Sequence, residues 1–191
     1  MMKTKVKIFI IICALFTLAK VSAQTYYYND DETLVKTQTF VENGYTYESL
    51  SDFDSKITYL YNRLNSKTIA GQTCNDGSPL TEGIRFGNEK LIAKDAWTKE
   101  KCRSIVNDAF SGVEKQWLKD TGLMVCMTID TNTGKVVEVE FAFRSAKGFA
   151  AIPISVFRKI ELDLKNNVWF TLTDAGKNLN FIRKSWIQEV E

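Results

Sequence analysis

From Thr37 to Ser49, β-branched and aromatic residues flank Asn43-Gly44, a pair that tolerates the positive φ angles of a tight turn, and the pattern predicts a β-hairpin. Ile57, Tyr59 and Tyr61 then alternate with Thr58 and Leu60, which predicts a third strand over Lys56 to Asn62. From Ser66 to Asn88, glycines, Asn75-Asp76-Gly77 and Pro79 predict turns and a long loop. The period changes after Thr98. Val106, Phe110, Val113 and Trp117 recur at helical steps with Cys102 and Ala109 on the same stripe, so one amphipathic helix is expected from Thr98 to Lys119. Asp120-Thr121-Gly122 should stop it, with Gly122 in the left-handed conformation of a helix end.

Leu123, Val125, Met127 and Ile129 alternate with Met124, Cys126 and Thr128, and Val137, Val139, Phe141 and Phe143 alternate with Glu138, Glu140, Ala142 and Arg144. Two half-buried strands joined at Asp130-Thr131-Asn132-Thr133-Gly134 follow, with the glutamates turned to water. Pro153 suits the first turn of a second helix. Its stripe is Val156, Phe157, Ile160 and Leu164, with Arg158, Lys159, Glu161 and Lys165 away from it. Val168–Thr173 and Leu179–Trp186 are expected to form a last hairpin about Asp174–Asn178. Strands, helix, hairpin, helix and hairpin in that order predict an α+β fold, a small antiparallel sheet covered by helices and preceded by a β-rich region. The expected organisation is a leader over 1–23, a β- and tyrosine-rich region over 24–95 and an α+β domain over 96–191.

The amino terminus follows a different pattern. Lys3, Lys5 and Lys7 precede an apolar run from Ile8 to Ala19, and Val21-Ser22-Ala23 supplies small residues, the layout of a secretory signal peptide cleaved after Ala23. The run is shorter than the roughly 20 residues of a bilayer-spanning helix, so no transmembrane segment is expected in the mature chain. Lipid attachment at Cys13 is the rival reading, but Ile12 occupies a position where such a site wants a small residue. Without the four lysines of residues 1–23, the formal charge falls from +2 to −2. That balance gives no reason to expect nucleic acid as a partner. A periplasmic or secreted location is expected.

The chain contains no histidine. Ser-His-Asp and Cys-His nucleophiles and the common zinc sites are therefore excluded. In an oxidising compartment Cys74, Cys102 and Cys126 allow at most one internal disulfide. Cys74–Cys102 is favoured, because Cys74 lies among turns and Cys102 near a helix start, with three separate thiols as the other reading. Cys126 reads as a small buried hydrophobe. No cofactor is implied.

Three clusters are candidates for function. Asp30-Asp31-Glu32 with Asp52 and Asp54 could gather calcium, but the spacing matches no complete loop and no metal site is expected. Glu138 and Glu140 share one strand face and are the named carboxylates of a histidine-free hydrolase reading. Tyr26, Tyr28, Tyr45, Tyr47, Tyr59 and Tyr61 could form an aromatic binding platform, against the alternative of strand packing.

From Leu123 to Val190 the chain resembles the TonB C-terminal domain superfamily. The matching pieces are the turn Asp130–Val136, the helix Ile154–Lys165, Trp169-Phe170, Gly176-Lys177 and the strand through Phe181. More widely it resembles a domain-of-unknown-function family of exported proteins from gut Gram-negative anaerobes, through Thr39-Phe40, Gly44–Tyr47, Leu60–Asn62, Ile152–Glu161 and Trp169–Thr171. The first resemblance implies a module able to bind by adding a partner strand to its sheet edge. It does not extend to energy transduction, since only Pro79 and Pro153 are present and a periplasm-spanning proline-rich arm is lacking. The expected function is a non-enzymatic envelope module that binds a protein, peptide or glycan. A histidine-free hydrolase and a structural subunit of an envelope complex are the alternatives.

Overall fold

A computed structural model of the chain describes residues 37–191 apart from residues 53, 55, 69, 86, 88, 95 and 146. The leader, Cys13, the Asp30-Asp31-Glu32 acids and the expected platform residues Tyr26 and Tyr28 lie outside the described residues.

Strands β1 (Thr37–Glu42), β2 (Tyr45–Asp52), β3 (Ile57–Asn62), β4 (Gly122–Ile129), β5 (Val136–Arg144) and β6 (Ile182–Glu189) form one antiparallel sheet in the order β1-β2-β3-β5-β4-β6. The hairpin between β1 and β2 turns on Asn43 and Gly44, both at positive φ. Because β3 pairs with β5, the regions before and after residue 95 build a single sheet.

Alternation along the strands separates two faces. Leu60, Leu123, Val125, Met127, Val139, Phe141 and Phe143 are buried on one face. On the other, the register aligns Leu50, Tyr59, Ala142, Met124 and Ile187 in a row across five strands. Helix α1 (Glu82–Arg85) lies in the loop before α2 (Ala96–Ala109), which is followed by α3 (Gly112–Trp117). After the central hairpin come α4 (Lys147–Ala150), α5 (Ile154–Asn167) and α6 (Asp174–Lys177). Helix α5 packs on β5 and α2 packs on α5. Phe157 of α5 meets Phe141 with ring centroids 5.1 Å apart.

Several expectations are corrected. The single helix over Thr98–Lys119 is two helices, because Ser111 starts a new one with a reciprocal capping box. Ser111 Oγ accepts from the Glu114 amide at 3.4 Å, and the Ser111 amide donates to Glu114 Oε2 at 2.7 Å. The break turns Val113 and Trp117 off the core stripe into solvent. Asp120, not Gly122, takes the left-handed conformation, and Gly122 opens β4. The last hairpin does not form. Segment 168–173 is tied elsewhere, with the Phe170 amide donating to Gly134 O at 2.8 Å and the Ala93 amide to Thr171 O at 2.9 Å, while β6 pairs with β4. Gly134 is held at φ +70°, and a Cβ there would stand 2.1 Å from Phe170 O.

Candidate functional site

The sheet divides the described tyrosines. Tyr45 and Tyr47 lie on its helix-covered face, edge to face at 6.0 Å, whereas Tyr59 and Tyr61 lie on the opposite face. Tyr47 is fully buried. Period-two alternation on a strand makes this split unavoidable for residues an odd number of steps apart across the register, so these four make no common platform.

The glutamates expected to face water do not share one fate. Glu138 is buried beneath the loop after β3, where its carboxylate accepts the Ser66 amide at 2.8 Å and the Lys67 amide at 3.0 and 2.9 Å. It anchors a loop. Glu140 is half-buried, and burial raises its carboxyl, with the Arg183 guanidinium opposing. Asp130 accepts from the Thr133 hydroxyl at 2.8 Å and from the amides of Asn132 and Thr133, bonds that hold its carboxyl below its ordinary value. It makes a turn. Cys74, Cys102 and Cys126 are free thiols, so the expected Cys74–Cys102 bridge is not formed. Cys74 Sγ points to Pro79 O at 3.7 Å, and Cys102 is buried on α2. Among the described residues no group of three or more cysteines and acids could hold a metal ion, and no helix is long and apolar enough to cross a membrane.

Glu161, expected on the solvent side of α5, is fully buried. The buried arc of the helix runs through Ile154, Phe157, Ile160 and Leu164, and Glu161 falls inside it. Its carboxylate is fully supplied with donors: the Tyr47 hydroxyl, Asn62 Nδ2 at 3.2 Å, Arg158 Nη1 at 2.8 Å and Lys165 Nζ at 3.3 Å. Burial pushes this carboxyl up, but the hydrogen bonds from Tyr47, Asn62 and Arg158 and the Lys165 charge outweigh it and leave it lowered. With every acceptor direction occupied, this knot pins α5 to β2 and β3 and presents nothing to a ligand.

The open site lies at the other end of the sheet. Helix α2, segment 92–94 and β6 enclose a cleft of about 430 Å³, a size typical of small-molecule pockets. Its floor is Met127, Phe170, Trp186 and Cys102. Lys94, Lys99, Arg103 and Lys184 line it, and among the described residues no acid does. Gln188, which lines the adjoining depression, ties Trp186 to α2, with Nε2 donating to Asn107 Oδ1 at 3.0 Å and Oε1 accepting from Trp186 Nε1 at 2.8 Å. Lys184 Nζ stands 5.9 Å from the Phe170 ring centroid. Burial pushes the Cys102 thiol up to about 11, against the opposing charge of Lys184. At neutral pH it is a protonated, unreactive thiol.

Sequence reasoning found Cys102 and the apolar stripe of α2 but missed this cleft. Its cations come from a loop, a helix and a strand distant in sequence, and no local spacing connects Lys99 with Lys184. The knot left a fainter trace, since Arg158 and Lys165 stand three and four residues from Glu161, the spacing of helical ion pairs.

An antiparallel sheet carrying helices on one face, with an apolar cleft under a helix at its edge strand, defines a class of small α+β domain without declaring an activity. The chain belongs to the family described as Domain of unknown function (DUF5043), whose model matches residues 24–186. It is similar to the crystal structure of a DUF5043 family protein from Bacteroides uniformis ATCC 8492 at 1.85 Å resolution. That likeness has a TM-score of 0.73 and 32% sequence identity, and covers 82% of this chain and 86% of that one. No curated protein matches the chain.

Proposed function

We propose that this chain is an exported, non-enzymatic binding module of the cell envelope, and that its ligand is an extended peptide or protein segment lying along β6 in front of α2. One observation carries the reading: the cleft opens beside the outer strand of the sheet. Among the described residues β6 pairs with β4 alone, and Arg183, Lys184, Ser185 and Ile187 are exposed on it. An outer strand offers a row of backbone donors and acceptors, and adjoining pockets for alternate side chains supply selectivity. The likeness of Leu123–Val190 to the TonB C-terminal module belongs to the same reading, as does export, which rests on the pattern of residues 1–23. Glu138, occupied by loop amides, favours binding over carboxylate chemistry.

The test is selection of peptides from a random display library, followed by amide hydrogen exchange with the best binder. Protection gained at residues 183–187 is the expected result. A selected peptide that protects only other strands, or repeated failure to select any, would sink the reading.

A further inference from the structure

The cleft walls are unbalanced in charge. Lys94, Lys99, Arg103 and Lys184 belong to three separate elements and face one apolar floor. Among the described residues none of them enters a salt bridge. Glu189 and Glu191 lie past Arg103 in an adjoining depression, outside the cleft lining. Around the buried Glu161, by contrast, the cations do find an acid, Arg158 at 2.8 Å and Lys165 at 3.3 Å. Four like charges around an apolar hollow repel one another, and a bound anion relieves that repulsion.

We infer that the cleft is a carboxylate-receiving site: it takes a ligand made of an apolar or aromatic body and one anionic group, the body against Met127, Phe170 and Trp186 and the anion among Lys94, Lys99, Arg103 and Lys184. The inference rests on the binding role given above and names the chemistry of that ligand. Lysine and arginine present donors that bond a carboxylate more strongly than a neutral carbonyl or hydroxyl. The lining also holds the Thr98 and Ser185 hydroxyls and the Cys102 thiol, but its four cations outnumber these neutral groups, so an anionic group gains more there than an uncharged polar one. Two sources fit this chemistry, the free carboxyl end of a peptide and a free aromatic or aliphatic acid.

The purified chain is titrated with four probes: a short polyalanine peptide ending in phenylalanine with a free carboxylate, the same peptide amidated, 4-phenylbutyrate, and 4-phenylbutanol. The readouts are the Trp186 indole N–H and the backbone amides of β6 in ¹H–¹⁵N spectra. Both acids, or one of them, should shift Trp186 and bind at least about tenfold more tightly than their neutral partners, the size of a charge-assisted hydrogen bond. Replacing Lys99→Gln and Lys184→Gln together should remove that advantage while leaving the fold, read by the same spectra, unchanged. Binding of the peptide acid alone identifies a chain terminus as the source. Binding of phenylbutyrate alone keeps the carboxylate site and removes the strand-addition reading. Equal affinity of acid and amide peptides along β6 overturns the carboxylate inference while keeping strand addition. Failure of both acids to shift Trp186, or an acid preference unchanged in the double variant, overturns it as well.

Discussion

Two places where the helix layer meets the sheet gather cations, and they are opposites. Over β2 and β3, Arg158 and Lys165 close on the fully buried Glu161, with Tyr47 and Asn62 filling its remaining acceptor directions. At the β6 edge, Lys94, Lys99, Arg103 and Lys184 converge on an apolar hollow with no acid among its described lining residues. A charge sealed from water is tolerated only when its partner comes with it. The knot meets that condition and is closed. The cleft does not, and it stays open to solvent, where its cations remain hydrated. Internal completeness marks a structural charge cluster, and its absence at the cleft is what the proposed carboxylate site rests on.

The largest expected effect breaks the closed half of this pair. Glu161→Ala leaves Arg158, Lys165, Tyr47 and Asn62 without their shared acceptor and should cost about 3–5 kcal/mol, read as a lowered urea midpoint at unchanged slope. The milder Glu161→Gln sharpens the point through pH. The Glu161 carboxyl sits below its ordinary value of 4.5, so the ionised form stabilises the fold. That contribution is complete above about 4.5 and is lost as pH falls through the lower folded value. The midpoint gap between the parent and Glu161→Gln should therefore be constant near neutrality and narrow in acid. A gap that widens in acid would show that the carboxylate is not what holds α5.

Gly134→Ala reaches the cleft from behind and leaves the knot alone. Its Cβ would collide with Phe170 O, and the residue would have to keep φ +70°. A loss of about 1–3 kcal/mol is expected, accompanied by shifted Trp186 and Phe170 resonances. The smallest effect belongs to Lys184→Gln. An exposed lysine in no salt bridge among the described residues should change stability by less than about 0.5 kcal/mol. A large thermal destabilisation by Lys184→Gln would mean that the cleft cations are structural after all.

Local signals in the sequence were enough for the two hairpins and for both long helices. Asn43-Gly44 fixes one turn through backbone sterics, and Pro153 with the apolar period fixes α5. The helix break at Ser111 is also encoded, in a Ser-Gly-Val-Glu capping box, but the apolar period through Phe110, Val113 and Trp117 runs across it. A stripe through Val156, which is half-buried, instead of Ile154, which is buried, puts Glu161 on the solvent side. That choice rotates the predicted face by enough to expose a residue the fold encloses. The last hairpin failed for a non-local reason, since Trp169, Phe170 and Leu172 satisfy their backbones against Gly134, Lys135 and segment 91–93. The cleft depends on that same arrangement. Its lining comes together only when β6 reaches β4, and no periodicity in either segment predicts their pairing.

That pairing also bears on the order in which the molecule assembles. β3 meets β5 across all the chain between Asn62 and Val136, and β6 then adds to β4 on the side away from β5. Distant pairings close large loops and form slowly, whereas the β1–β2 and β4–β5 hairpins form from neighbours. β6 is expected to dock late and, as an outer strand, to fray early. A refolding chain should recover much of its far-ultraviolet signal before Trp186 reaches its final environment. Capture of a ligand in the cleft would then report the completion of the sheet, and a bound ligand would slow the first step of its opening.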